Sequence, residues 1–278
     1  MTIKKTAVHF PSSPVRNMLP ENDGAVRVCP TTIATRGLLG FDQKADWLQP
    51  YASDNKGDTP HTLLATAFYA HSVQILADSA RVLGKSVDAD KYGDEAAVAK
   101  QGFADHFFDV DGKLQNAPET QTAYILTLAF DLIPAKLQAS SVTHLLRLIG
   151  DADGHLRTGF LGTPFITQVL DQSGHSKVAF SVLFKETYPS WFFSINQGAT
   201  TMWERWNSYS HEDGFGDVAM NSFNHYAYGA VGQWACSTIG GTGSQRLAAQ
   251  LVGRRTSVYA VPARPLNCFS PVFRQVAL

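Results

Sequence analysis

The sequence predicts an all-α protein of paired antiparallel helices, and three observations predict it. Long stretches carry apolar residues at helical spacings, strand-type alternation is scarce, and short polar turns containing Gly or Pro separate the stretches. The helices alternate between more amphipathic and more apolar, as expected of a helical toroid or an α-solenoid. No fixed-period repeat is visible, which weighs against the solenoid.

The first element, "GDTPHTLLATAFYAHSVQILADSARVLGK", predicts a helix capped by Asp58 or Thr59, with Pro60 in its first turn and Gly84 at its end. Its apolar face is expected to be Leu64, Phe68, Ile75 and Val82. The next segment repeats the pattern with Tyr92, Ala96, Ala99, Phe103 and Phe107. "ETQTAYILTLAFDLIP" is apolar nearly all round and stopped by Pro134, which predicts a buried inner helix. "LQASSVTHLLRLIG" follows, and further helices are expected near 162–173, 175–186 and 221–237. Leu156–Phe160 and Phe192–Ile195 are the short pieces expected to be extended. These elements divide the chain into an irregular segment 1–40, a helical portion 41–240 and an irregular, Gly-, Arg- and Pro-rich tail 241–278.

Composition narrows the partners. The chain has 278 residues, 44% of them hydrophobic, and a net charge of −1, which suits an ordinary globular protein rather than one bound to nucleic acid or an anionic membrane. The three cysteines, Cys29, Cys236 and Cys268, are far apart and form neither a disulfide framework nor a CxxC pair. The opening "MTIKKTAVHFPSSP" lacks the apolar core of a secretion signal, and the run "AYILTLAF" is too short to span a bilayer. A cytoplasmic location is therefore expected.

The segments between helices are dense in residues that bind polyols. "DQKADWLQP" offers Asp46 and Trp47, "ETQTAY" offers Glu119 and Gln121, and "GHLRTGFLGTPF" offers His155 and Arg157. "GATTMWERWNSY" places Glu204 and Arg205 between Trp203 and Trp206, and "NSFNHYAYG" brings Asn224 and His225. A carboxylate between indoles suits a sugar cleft, where ring faces stack on the sugar and charged groups reach its hydroxyls. Each residue also fits a structural role: an indole in the core, a satisfied histidine, Arg157 capping a helix end, Glu119 complementing a helix dipole. No HExxH, GxSxG or P-loop is present, and the histidines show no zinc spacing, so no metal and no cofactor are expected. Carboxylate chemistry supported by aromatics remains, and it suits glycoside hydrolysis.

Taken as a set and in order, "ADWLQP", "TPHTLLATAFYAHS", "TQTAYILTLAFDLIP", "GHLRTGFLGTPFI", "YPSWFFSINQGATTMWERWNSY" and "FNHYAYGAVGQW" resemble the bacterial α-L-rhamnosidases of glycoside hydrolase family 78. The resemblance runs from about Asp42 to Gly240, the later half of that family's catalytic domain. It implies an (α/α)6 barrel of the six-hairpin glycosidase type, here an incomplete toroid, and inverting hydrolysis of terminal α-L-rhamnose from a rhamnose-containing glycoside. It implies Glu204 as general base, Trp47 against the sugar's apolar face and 6-methyl group, and His225 on a sugar hydroxyl. Asp46, beside Trp47, and Trp203 are expected in the substrate site, with Arg205 and Trp206 orienting Glu204 and closing the wall. Ala45 stands where the family usually has Gly.

The family's general acid lies in a segment near "RDERxGWxGD" that has no counterpart here; residues 1–40 hold only Glu21 and Asp23 as acids. The chain therefore reads as a family fragment, with a partner chain or self-association expected to cover the open toroid. Two other functions fit the same residues. One is an inactive rhamnose-binding fragment, the other a helical scaffold whose groove binds protein.

Overall fold

The computed structural model describes residues 46–54 and 56–240. The expectations placed on residues 1–40, Asp42, Ala45 and the tail 241–278 lie outside the described residues.

Helices dominate the described residues. Helix α1 (His61–Val82) and helix α2 (Ser86–Phe107) are joined by three residues and pack closely along their length. Their interface is rich in alanine: Ala67, Ala70, Ala77 and Ala80 of α1 are buried, as are Ala89, Ala96 and Ala99 of α2. Small side chains let the two backbones approach, and Phe103 and Phe107 are buried near the C-terminal end of α2. Gly84, at φ +70, allows the sharp exit from α1. Pro60, rather than Asp58 or Thr59, is the N-cap residue, and the Thr59 hydroxyl shares a 2.7 Å hydrogen bond with that of Thr120.

Helix α3 (Gln121–Ala129) is the buried inner helix that its composition predicts, with Gln121 through Thr127 all buried. It starts where the Thr120 hydroxyl accepts the N–H of Ala123 and stops before Pro134. Helix α4 (Ala135–Asp151) pairs with it, and helices α5 (Thr163–Gln172) and α6 (Ser176–Leu183) form a third pair. Helix α7 (Trp191–Asn196) replaces the extended piece expected at Phe192–Ile195. Ser190 caps it by accepting the N–H of Phe193, and Trp191 anchors it by burial. A two-residue hairpin, β1 (Tyr209–Ser210) with β2 (Gly214–Phe215), follows. The helix expected at 221–237 starts late: a 3-10 turn at Ala227–Ala230 leads into helix α8 (Val231–Trp234), which ends in a π turn, Ala235–Ile239. Residues 221–226 are left as a loop.

Alternate helices are neighbours. Helix α3 packs against α1 and α5, and α5 packs against α8, while α2, α4 and α6 each back the helix before them. The result is an inner row, α1–α3–α5–α8, and an outer layer. The segments that lead into the inner helices are 46–60, 115–120, 155–162 and 198–226. Because inner helices run the same way, these segments gather at one end of the row. They are the segments singled out for polyol-binding residues.

Candidate functional site

The site begins with a buried carboxylate. Asp46 is fully buried, and its oxygens accept from the Thr122 hydroxyl, from the N–H of Gly159 at 2.8 Å and from the N–H of Leu161 at 3.0 Å. Burial raises its pKa, while those same hydrogen bonds pull the other way. Asp46 thus ties loop 46–60 to α3 and to the loop before α5. The two loops touch as backbones: the N–H of Phe160 donates to the Trp47 carbonyl at 2.9 Å, and any Cβ on Gly159 would collide with the carbonyls of Asp46 and Trp47. Asp46, expected among the substrate-binding residues, is spent on this chain's own donors. What it presents is Trp47, 37% exposed, at the mouth of the loop.

Glu204 sits in the loop that follows α7. Its N–H donates to the Ser222 carbonyl and its Oε2 accepts the Ser222 N–H, both at 2.8 Å. This reciprocal pair fixes the carboxylate from one side, and among the described residues Oε1 has no hydrogen-bond partner. Sequence reasoning gave the orienting task to Arg205 and Trp206; the structure gives it to Ser222. Arg205 makes no ion pair with Glu204 among the described residues, and its charge acts instead on the phenols of Tyr188 and Tyr228.

The indoles that flank Glu204 belong to the packing. Trp203 is buried edge-on against Phe223 at 5.3 Å. Trp206, 3% exposed, lies flat on Tyr228 at 3.8 Å and meets the ring of Trp191 edge-on at 5.1 Å. Tyr228 in turn meets the edge of Phe160, and Phe160 stacks on His225 at 5.0 Å. A continuous run of rings, Trp191–Trp206–Tyr228–Phe160–His225, therefore joins the Glu204 loop to the loop anchored by Asp46. The N–H of His225 is fixed on the Met202 carbonyl at 2.8 Å, and its Nδ1 accepts from Ala227 at 3.4 Å. With Nδ1 as the acceptor, Nε2 is the ring nitrogen left to donate.

Tyr228 is the centre of the arrangement. Its hydroxyl donates to the Leu48 carbonyl at 3.5 Å. Burial first, then the charges of Asp46, Tyr188 and Glu204, push its phenol well above the ordinary value, with Arg205 opposing them. A single buried ring thus feels every charged member of the site. Ser222, Tyr228, Phe160 and Thr122 are the supporting residues that sequence reasoning missed. Tyr228 stands only three residues after His225 in "FNHYAYG", which is the one local signal that pointed to it.

His155 and Glu119 have structural partners. His155 bridges the Ala152 carbonyl and the Thr187 hydroxyl, and Glu119 holds Tyr124 and Arg147. Arg157 caps no helix; its backbone N–H is held by Gln121, and its guanidinium lies 5.2 Å over the Tyr51 ring. Asn224 is exposed.

The chain is similar to known proteins. The model of the bacterial alpha-L-rhamnosidase 6 hairpin glycosidase domain matches residues 35–239. An alpha-L-rhamnosidase of Formosa agariphila is 47% identical over 228 residues, covering 81% of this chain and 24% of the relative. One from Alteromonas sp. (strain LOR) is 50% identical over 194 residues, covering 68% of this chain and 21% of the relative. The crystal structure of Streptomyces avermitilis alpha-L-rhamnosidase complexed with L-rhamnose superposes with a TM-score of 0.68 at 43% identity, over 74% of this chain and 19% of that one. The chain spans a quarter or less of the length of these relatives. With the paired helices, the family model's extent and these identities in agreement, the chain belongs to the bacterial alpha-L-rhamnosidase family and carries part of its six-hairpin glycosidase domain.

Proposed function

We propose that this chain forms the rhamnose-binding and base-carrying portion of an inverting α-L-rhamnosidase. The observation that carries the reading is Glu204: its backbone and one carboxylate oxygen are pinned by Ser222, and its other oxygen is without a partner among the described residues. In an inverting hydrolysis such a carboxylate takes a proton from water as the water attacks the anomeric carbon, opposite the departing oxygen. The base must be fixed so that the water lies in line, and the Ser222 clamp supplies that fixation. Trp47 offers an exposed indole to the apolar face and methyl group of the deoxy sugar, and His225 offers an Nε2–H to a ring hydroxyl. The general acid lies about 6.5–9.5 Å from the base in inverting enzymes, and no residue is assigned to it here.

Two further parts of the reading concern the whole molecule. A cytoplasmic location is supported by the few, widely spaced cysteines. Completion of the toroid by a second chain or by self-association is supported by a stripe on α1, Ile75, Leu76, Val82 and Leu83, that stays exposed.

Titration with L-rhamnose tests the sugar site directly. The full chain should bind rhamnose with a change in tryptophan fluorescence, Trp47→Ala should weaken binding about tenfold or more, and Glu204→Gln should bind nearly as well as the parent. Absence of rhamnose binding by folded protein contradicts the proposal.

A further inference from the structure

Asp46 is a fully buried carboxylate that the proposed reaction does not use. Its Oδ2 accepts from the Thr122 hydroxyl and from the Gly159 N–H at 2.8 Å, and its Oδ1 accepts from the Leu161 N–H at 3.0 Å. Thr122 stands in the first turn of α3, and Leu161 lies just before α5 starts at Thr163. One carboxylate therefore fastens loop 46–60 to the beginnings of two inner helices. Glycines close round it without slack. A Cβ on Gly57 or Gly159 would collide with the Asp46 carbonyl, and one on Gly162 with the Thr122 hydroxyl.

The backbone beside this carboxylate is fixed as well. The Asp46 carbonyl accepts the Gln49 N–H at 3.2 Å, and the Trp47 carbonyl accepts the Phe160 N–H at 2.9 Å. The Trp47 indole itself has no ring or hydrogen-bond partner among the described residues, so its place is set by the backbone that Asp46 holds. It is also the one exposed indole of the chain's five; Trp191, Trp203, Trp206 and Trp234 are buried. Burying a carboxylate costs desolvation that offsets its hydrogen bonds, so the group contributes little net stability. What it contributes is register between loop 46–60 and the two helices. Asparagine has the same shape and cannot do this, because its amide nitrogen would face a donor at either oxygen position.

Resting on the reading of Trp47 as a rhamnose-binding group, we propose that Asp46 and Thr122 are positioning residues for the sugar site, which hold the Trp47 indole where it meets the apolar face of the sugar. Neither touches the sugar; both act through the backbone of loop 46–60. Small displacements matter to such a contact, since a gap of about 0.5–1 Å forfeits a quarter to a half of a dispersion contact. The Thr122 hydroxyl is the side-chain donor of the set, so it can be removed without touching the loop or the carboxylate.

The test reads the indole and the affinity separately on the full chain. Acrylamide quenching of tryptophan fluorescence reports on Trp47, and calorimetric titration with L-rhamnose gives the affinity. Thr122→Val, which nearly keeps the volume and removes the hydroxyl, and Asp46→Asn should each raise the quenching constant of the ligand-free protein and weaken rhamnose binding about tenfold. Thr122→Ser, which keeps a hydroxyl donor, should match the parent in both. Val142→Ala makes a cavity on the outer helix α4; it should lower the urea midpoint and leave quenching and affinity as in the parent. Circular dichroism checks that each variant is folded. Parent-like quenching and affinity in folded Thr122→Val, or an equal loss of affinity in Val142→Ala, overturns the positioning role while leaving the rhamnose reading in place. Failure of the folded parent chain to bind rhamnose overturns that reading, and the positioning role with it.

Discussion

At the residue scale, the candidate site separates partly exposed groups, Glu204, Trp47 and His225, from the buried groups packed behind them. Glu204, Trp47 and His225 carry their own signal in the sequence, since a carboxylate between indoles, an indole after a polar turn and a histidine before a helix are unusual where nothing binds. Ser222 and Thr122 carry none, because each acts through a partner many residues away and looks like any other serine or threonine; Tyr228 has only its place three residues after His225. Trp203 and Trp206 were legible as unusual and are in the packing, because an indole's spacing from a carboxylate does not say which face it turns to the core. Asp46 yields a pH prediction. Burial, against the hydrogen bonds it accepts, raises its pKa in the fold above the unfolded value, so the folded state binds the extra proton between the two. Stability contributed at Asp46 is therefore present below the unfolded carboxylate value of about 4 and falls as pH rises through the raised one. Asp46→Asn should flatten that part of the stability–pH curve in denaturant titrations run between pH 4 and 7, and an unchanged slope would show that Asp46 is not its source.

At the scale of elements, the long helices were legible and the short ones were not. Helices α1 and α2, at 22 residues each, give several periods of apolar spacing to read. The six-residue α7 gives fewer than two turns, so its cap and its buried Trp191 decide it rather than its pattern. Ser190→Ala should cost about 1 kcal/mol by removing that cap, measured by chemical denaturation. The apolar face of α1 was half right: Leu64 is buried and Phe68 packs on Phe130 at 5.1 Å, but Ile75 and Val82 are exposed. The buried surface of the second half turns to Val73, Ala77 and Ala80, where α2 lies. The loop junction at Gly159 is a further test of element packing. Gly159→Ala places a methyl group against two backbone carbonyls and should cost about 1–3 kcal/mol, with loss of rhamnose affinity as loop 46–60 shifts.

At the scale of the whole molecule, the described helices belong to a six-hairpin glycosidase domain, and α1 packs on α3 in the inner row. Ile75, Leu76, Val82 and Leu83 form an exposed apolar stripe, half of which sequence periodicity had read as core. If a second copy covers it, light scattering should show the full chain as an oligomer, and Ile75→Glu with Val82→Glu should return it to a monomer; a parent chain that is monomeric at tens of micromolar would rule out self-association. The claim on which the functional reading turns is that Glu204 activates water at a rhamnose site. The most direct measurement is release of p-nitrophenol from p-nitrophenyl α-L-rhamnopyranoside by the full chain and by Glu204→Gln, since this leaving group departs without help from an acid. Turnover by the parent chain that falls at least about a hundredfold in Glu204→Gln, in line with the loss of a general base, is the predicted result. Equal rates in the two proteins, or none in a folded parent chain, would contradict the role assigned to Glu204.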